Sequence, residues 1–365
     1  MRVLYDHQIF NMQKFGGISR YFNELMKSKS DGLHIVKIDP ELFDPIPEPK
    51  YDLFSRGINY TKRKVGIKEK QRKLPGEALK IFLEGNYDVF HPTYYDPYFL
   101  TLTKKPFVLT VYDMIHEIYK ESFSLTDPVS YYKRLLCDKA SHIITISENT
   151  RKDLIDIFKL PVEKVHAIQL ASGFDKLTTQ RPKMDEAPEN YILYTGVRFA
   201  YKNFYFSVVA LAELLKSDKD LMLVCTGPSF SAEERTFFKE LGIERQVKHI
   251  YLQNDNELAW AYKNARLFIF PSLYEGFGFP LLEAFACGCP VIASNGGSLP
   301  EVGGEAVLYF QPKKIREIQD AAHKALYDDV IRENLVAKGK HQFKKFSWEK
   351  CRRQTLEVYH KIADD

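Results

Sequence analysis

Short apolar runs rich in β-branched and aromatic residues recur along this chain, separated by stretches with helical periodicity. The runs are VLYDH (3–7), YDVFHP (87–92), FVLTVYD (107–113), HIITIS (142–147), KVHAIQL (164–170), YILYTG (191–196), LMLVCTG (221–227), VKHIYL (247–252), LFIFPS (267–272) and PVIAS (290–294). GISRYFNELMKS (17–28) and YFSVVALAELLK (205–216) are typical of the helical stretches. Strands that are apolar throughout, with a helix between each and the next, belong in parallel sheets covered on both faces. An α/β architecture of doubly wound parallel sheets is therefore expected. Ligands in such folds bind at the carboxyl ends of the strands.

The chain has 365 residues, long enough for two domains. The alternation breaks at GFDKLTTQRPKMDEAPEN (173–190), which is polar, has two prolines and lacks periodicity. The boundary is placed there, giving domains 1–180 and 181–340 facing one another across a cleft. Residues 341–365 should add a C-terminal helix that packs back on the first domain. No run approaches the roughly 18 apolar residues that span a bilayer. The opening MRVLYDHQIF reads as a first strand and not as a signal peptide. Five scattered cysteines suit reduced thiols in a cytoplasm, with Cys287 and Cys289 as packing residues. A net charge of +4 does not point to nucleic acid. The run 62–73 does hold seven cations (Lys62, Arg63, Lys64, Lys68, Lys70, Arg72 and Lys73) against Glu69. It is either a solvated helix face or a peripheral contact with an anionic membrane.

The chemistry concentrates in Glu275-Gly276-Phe277-Gly278-Phe279-Pro280-Leu281-Leu282-Glu283. LFIFPS runs into it as a strand, and a helix from roughly Pro280 to Cys287 runs out. Proline suits a first helical turn. One glutamate then lies on the loop and the other in that turn, beside free backbone N–H groups and the positive end of the helix dipole. Such a junction can hold a polar, phosphate-bearing ligand.

Other strand ends offer further candidates. Arg198 and Lys202 follow YILYTG four positions apart, a pair suited to a diphosphate or to a solvated face. Gly227 follows LMLVCTG. Leu252, with Leu258, follows VKHIYL and either flanks a base or sits in the core. Gly16 and Gly17 open a helix, as a phosphate turn or a plain tight turn. Asp113 and His116 follow FVLTVY, where an imidazole could exchange a proton or meet a hydroxyl. The aromatic segment His91–Tyr98 suits either sugar faces or loop packing. Asp218-Lys219-Asp220 precedes a strand and reads as surface, and no His or carboxylate spacing suggests a metal site.

Together these residues resemble the retaining glycosyltransferases of family 4, which have the GT-B fold of two Rossmann-like domains. The resemblance rests on the GG-x-x-R-Y turn, the G-x-R-x-x-Y-K-N segment, EGFGFPLLE, the run ACGCPVIASNGGSLPEVGGEAVLYFQP and the tail FSWEK. It implies that Arg198 and Lys202 bind the donor diphosphate, that Gly16 and Gly17 offer N–H groups to it, and that Glu275 contacts the transferred sugar. Glu283 would hold the ribose, and the loop Gly276, Phe277, Gly278, Phe279, Pro280 would set its N–H groups against sugar and phosphate. No metal or cofactor is implied, the nucleoside diphosphate sugar being a co-substrate. Many relatives have a His-Asp pair where this chain has Tyr112-Asp113. Either His116 or the Tyr112 hydroxyl takes the place of that histidine, with His116 favoured.

The expected reaction is transfer of a mannose- or glucose-type unit, with GDP-mannose favoured over UDP-sugars, to a glycan or lipid-linked acceptor of surface polysaccharide. The expected place is the cytoplasm or the inner face of the plasma membrane. A sugar-nucleotide epimerase or phosphorylase and a non-catalytic sugar-nucleotide module are the competing readings. Nothing in the sequence sets the oligomeric state.

Overall fold

The computed structural model describes residues 1–13, 16–28, 32–42, 75–183, 188–198 and 200–364. The basic run 62–73 lies outside the described residues. The chain divides into two compact units. One comprises Met1–Thr110, Tyr131–Ile143 and Glu357–Asp365, the other Val111–Ser130 and Ile144–Leu356.

In the first unit, strands β1 (Arg2–Tyr5), β2 (His34–Lys37) and β3 (Val89–His91) form a parallel sheet in the order β2-β1-β3. Phe90 continues it by a parallel bridge to Phe107. Strands β4 (Val108–Val111), β5 (His142–Thr145) and β6 (Val165–Ala167) form a separate three-stranded sheet in the order β4-β5-β6, its β6 within the residues of the second unit. Val3, Leu4, Tyr21, Phe22 and Phe90 are buried around β1 and β3.

His91 ends β3 inside this core and is fully buried. Its Nδ1 lies 2.6 Å from the Tyr359 hydroxyl and its Nε2 lies 2.9 Å from Thr110 Oγ1. Burial pushes its pKa down to about 3, so the ring is neutral. The Tyr359 hydroxyl also meets that of Tyr5 at 2.8 Å. Tyr359 lies on the last helix, Trp348–Asp364, whose end from Glu357 belongs to the first unit. Of the two roles open to the aromatic segment, its first residue takes packing.

The second unit is built on strands β7 (Tyr191–Tyr194), β8 (Met222–Cys225), β9 (Val247–His249), β10 (Leu267–Phe270), β11 (Val291–Ser294) and β12 (Val307–Phe310). All pair in parallel, in the order β12-β11-β10-β7-β8-β9. Counted from β7, this is the 3-2-1-4-5-6 order of a Rossmann sheet, and the winding reverses between β7 and β10. Every residue of β7, β10 and β11 is buried. Val208, Leu211 and Leu215 of helix Phe204–Ser217 join Ile318, Ala322 and Leu326 of helix Ile315–Tyr327 in the core against this sheet. Each large aliphatic side chain so buried contributes about 1.5–3 kcal/mol.

The strands lie on either side of the polar stretch 173–190, with β1–β6 before it and β7–β12 after it. Two strands have no counterpart in the sequence expectations. HIVK in β2 has exposed ends and no alternation, and VLYF in β12 is only partly buried. Helix starts follow local chemistry. Ser147 and Asn254 cap their helices through side-chain oxygens, and Ser231 and Glu234 form a reciprocal capping box.

Candidate active site

The turns that leave β7 and β10 bring two of the candidate residues together. After β7 the backbone passes through Gly196 at φ +97° and Asn203 at φ +57°, both left-handed. Asparagine is one of the few residues with a side chain that adopts this conformation readily. The Asn203 side chain donates to Pro312 O at 2.7 Å, and the Tyr201 carbonyl accepts from Leu273 N at 2.7 Å, just beyond β10. Lys202 is thereby held where its Nζ lies 2.7 Å from Glu275 Oε1. Burial opposes the ammonium charge, but Glu275, Tyr201 and Asp113 outweigh it and raise the Lys202 pKa. An ion pair thus sits at the point where the sheet reverses its winding.

The loop after Glu275 is fixed by its carbonyls. Ser298, fully buried, lies with its hydroxyl 3.0 Å from Glu275 O and 2.7 Å from Phe277 O. Gly276 O accepts from Ser147 Oγ at 2.7 Å and Thr150 Oγ1 at 3.2 Å. In a planar trans peptide the N–H points opposite to the C=O. The N–H groups of Gly276, Phe277 and Gly278 are therefore turned away from these hydroxyls. Gly276 also packs backbone to backbone, since a Cβ there would overlap Tyr112 O and come within 2.9 Å of Asp113 Cβ. Gly278, at φ +109°, caps helix Phe279–Ala286, and Pro280 lies in its first turn. The helix begins one residue earlier than expected.

Glu283, on that helix, is buried and accepts from the Tyr262 hydroxyl at 3.2 Å. Tyr262 in turn meets Thr195 Oγ1 at 3.3 Å, directly after β7. Burial and the Glu283 carboxylate hold the Tyr262 proton on. Both glutamates of the motif are therefore tied to the end of β7, one through Lys202 and the other through Tyr262 and Thr195.

Arg198 points elsewhere. Its Nε is 2.5 Å from Glu234 Oε1 and its Nη2 is 3.1 Å from Glu234 Oε2. Nη2 also donates to the carbonyls of Pro228 and Ser229 at 2.7 and 3.1 Å. Gly227, at φ +90°, packs on the turn before it, and a Cβ there would lie 2.5 Å from Gly196 O. Leu252 is half-buried. Asp113 receives Ile115 N at 3.0 Å at the start of helix Ile115–Ile118. His116 stacks on Phe123 at 3.9 Å, with Nε2 3.8 Å from Asp127 Oδ2. Tyr112 is buried. Gly16 and Gly17 lie in the first unit, where they open helix Gly17–Leu25. Of Asp218-Lys219-Asp220, Asp218 is engaged by the Tyr327 hydroxyl at 2.8 Å and by its own turn.

Sequence reasoning did not assign Ser298, Ser147, Thr150, Tyr262 or Glu234. The Ser231-x-x-Glu234 capping box is visible in the sequence. The hydroxyls that hold the loop have no local signal, because their partners are distant in the chain.

Residues 15–171 match the family model for Glycosyltransferase Family 4, and residues 177–342 match that for Glycosyl transferases group 1. The chain belongs to the family 4 glycosyltransferases, with the GT-B fold. It is similar to O-antigen chain mannosyltransferase B of Escherichia coli, 29% identical over 370 residues that cover 94% of this chain and 95% of that protein. Sucrose-phosphate synthase from Thermosynechococcus elongatus shares the fold, with a TM-score of 0.73 at 18% identity over 100% of this chain and 99% of that one. So does Anabaena HepE, solved with UDP-glucose, with a TM-score of 0.69 at 16% identity over 99% of this chain and 100% of that one. Among the described residues of this glycosyltransferase, no helix is long and apolar enough to cross a membrane.

Proposed function

We propose that this glycosyltransferase moves mannose from a nucleoside diphosphate sugar, GDP-mannose in the first instance, to a glycan hydroxyl in the assembly of a surface polysaccharide, with retention of the donor's α configuration. The observation that carries the reading is the Lys202–Glu275 pair at the β7/β10 reversal, the position where Rossmann sheets bind nucleotides. The choice of mannose and polysaccharide is supported by the similarity to an O-antigen chain mannosyltransferase.

In this reading each group has a distinct job. Negative charge builds on the leaving diphosphate as the glycosidic bond breaks, and the Lys202 ammonium neutralises it. The N–H groups of Gly276, Phe277 and Gly278 and the start of helix Phe279–Ala286 face the sugar and phosphate oxygens. Glu275 accepts from hydroxyls of the sugar, and Glu283 accepts from the ribose hydroxyls beside Tyr262. Lys202 performs the charge neutralisation without a metal ion. The work is done in the cytoplasm or at the inner face of the plasma membrane.

The test is to incubate the protein with GDP-mannose and a mannan-type oligosaccharide acceptor, and to read the anomeric configuration of the new bond by NMR. An α-mannosidic product fits the proposal. A β-linked product refutes retention, and GDP released with no sugar transferred refutes the transferase reading of this donor.

A further inference from the structure

Glu275 is held from both sides by one helix. Helix Glu148–Phe158 lies in the same unit as the EGFGFPLLE junction. Its start takes the carbonyl after Glu275, since Ser147 Oγ and Thr150 Oγ1 both donate to Gly276 O. Its next turn takes the side chain before Glu275, where the Tyr274 hydroxyl donates to Asp153 Oδ2 at 2.7 Å. Asn149 Nδ2 braces this contact, donating to the same carboxylate oxygen at 2.8 Å and to the Tyr274 oxygen at 3.3 Å. Tyr274 is buried, and burial together with the Asp153 carboxylate holds its proton on. Its hydroxyl is therefore a committed donor.

The helix itself is fixed. Glu301 Oε1 and Oε2 accept from Glu148 N and Asn149 N, both at 3.1 Å, and Oε1 also accepts from Gln169 Nε2 at 2.8 Å. A carboxylate so placed meets N–H groups of the first turn that have no partner within the helix, at its positive end. Glu301 follows Ser298, whose hydroxyl and N–H both reach Glu275 O. The segment behind Glu275 thus closes on the helix that holds its two neighbours. The anchors at Glu275 O, Gly276 O and Phe277 O all lie at or after Glu275. The Tyr274–Asp153 contact ties the residue before it to the same helix, and so resists rotation of the loop about the later anchors.

We propose that Asp153 is a positioning residue for sugar transfer: through the Tyr274 hydroxyl it sets the Glu275 carboxylate against the sugar of the donor. It acts on the sugar end of the donor and not on the nucleotide end. The inference rests on reading Glu275 as the group that meets the transferred sugar.

The test compares wild type with Tyr274→Phe, Asp153→Ala, Asp153→Asn and Tyr274→Phe/Asp153→Ala, each as the full chain and confirmed folded by circular dichroism. Turnover of GDP-mannose with a mannan-type oligosaccharide acceptor gives kcat/KM. Calorimetric titration gives the affinity for GDP, which has no sugar to meet Glu275. Tyr274→Phe and Asp153→Ala should each lose about tenfold in kcat/KM, as misplacement of a positioned group does, with GDP affinity within about twofold of wild type. The double variant should be no worse than the worse single one. Asp153→Asn should stay within about threefold of wild type, because its amide oxygen still accepts from Tyr274. Should Asp153→Ala not fold, Tyr274→Phe and Asp153→Asn decide the matter alone. Wild-type kcat/KM in folded Tyr274→Phe overturns the proposal, because the contact is then structural only. GDP affinity that falls in step with turnover also overturns it, by showing that the whole site is disturbed. So does a further loss of about tenfold on adding Asp153→Ala to Tyr274→Phe, which would set Asp153 against the substrate directly. Asp153→Asn as damaging as Asp153→Ala overturns it too. Failure of the wild type to turn over GDP-mannose strikes instead at the proposed function.

Discussion

Lys202 Nζ and Glu275 Oε1 are 2.7 Å apart although the residues are separated by 73 positions in sequence. Two neighbouring strands, β7 and β10, deliver them to one point. The pair settles a charge that burial alone would oppose, and it sets the raised pKa of Lys202. A lysine so held stays protonated at neutral pH, as charge neutralisation of a leaving diphosphate requires.

Chelation gives one check on that role. If Lys202 carries the neutralisation, turnover of GDP-mannose should be unchanged by excess EDTA after exhaustive dialysis. A large loss, restored by a divalent cation, would assign the role to a metal.

Gly276→Ala should lower both stability and turnover. The added methyl meets Tyr112 O and Asp113 Cβ, neither of which is the free end of a flexible side chain. The expected cost is about 1–3 kcal/mol, as for overpacking elsewhere. Urea unfolding reads it, and an unchanged midpoint would show that the loop is free to shift.

Ser298→Ala removes the buried hydroxyl that holds Glu275 O and Phe277 O. Phe277 O, left without that donor, should cost about 1–3 kcal/mol, while Glu275 O keeps the Ser298 N–H at 3.1 Å. Donor KM should rise as well, since these carbonyls orient the opposed N–H groups. Thermal unfolding and steady-state kinetics together separate the two effects.

The EGFGFPLLE junction was legible because its cues are local: an apolar strand, glycines, and a proline at the helix start. The lysine of Y-K-N was legible as a cation at a strand end. The partner of Arg198 was not, because Glu234 lies 36 positions away and reads locally as part of a helix cap. His91 was open between packing and sugar contact, since its burial depends on Tyr359, 268 positions distant. Strand β2 escaped notice because four residues with exposed ends have neither a full apolar run nor an alternation.

The buried His91 sets an acid limit on stability. Its pKa is about 3 in the folded protein, against roughly 6.5 when unfolded. Between these values the unfolded chain binds a proton that the native state refuses, so stability rises with pH across this window. The contribution is complete above about pH 6.5 and is lost as the pH falls toward 3. Chemical denaturation of wild type and His91→Gln at pH 7.5, 6.0 and 5.0 should show the wild type losing stability faster, by up to about 1.4 kcal/mol per pH unit. Parallel curves would show that the ring titrates normally.

Lys202, Glu275 and Glu283 are assigned together to the donor site. The direct measurement is the rate of GDP release from GDP-mannose, in the presence of acceptor, by wild type and by Lys202→Ala, Glu275→Ala and Glu283→Ala. Lys202→Ala should lose about 10²–10³-fold in kcat, the magnitude for removal of a group aimed at transition-state charge. Glu283→Ala should mainly raise KM. Wild-type turnover in all three variants would contradict the assignment.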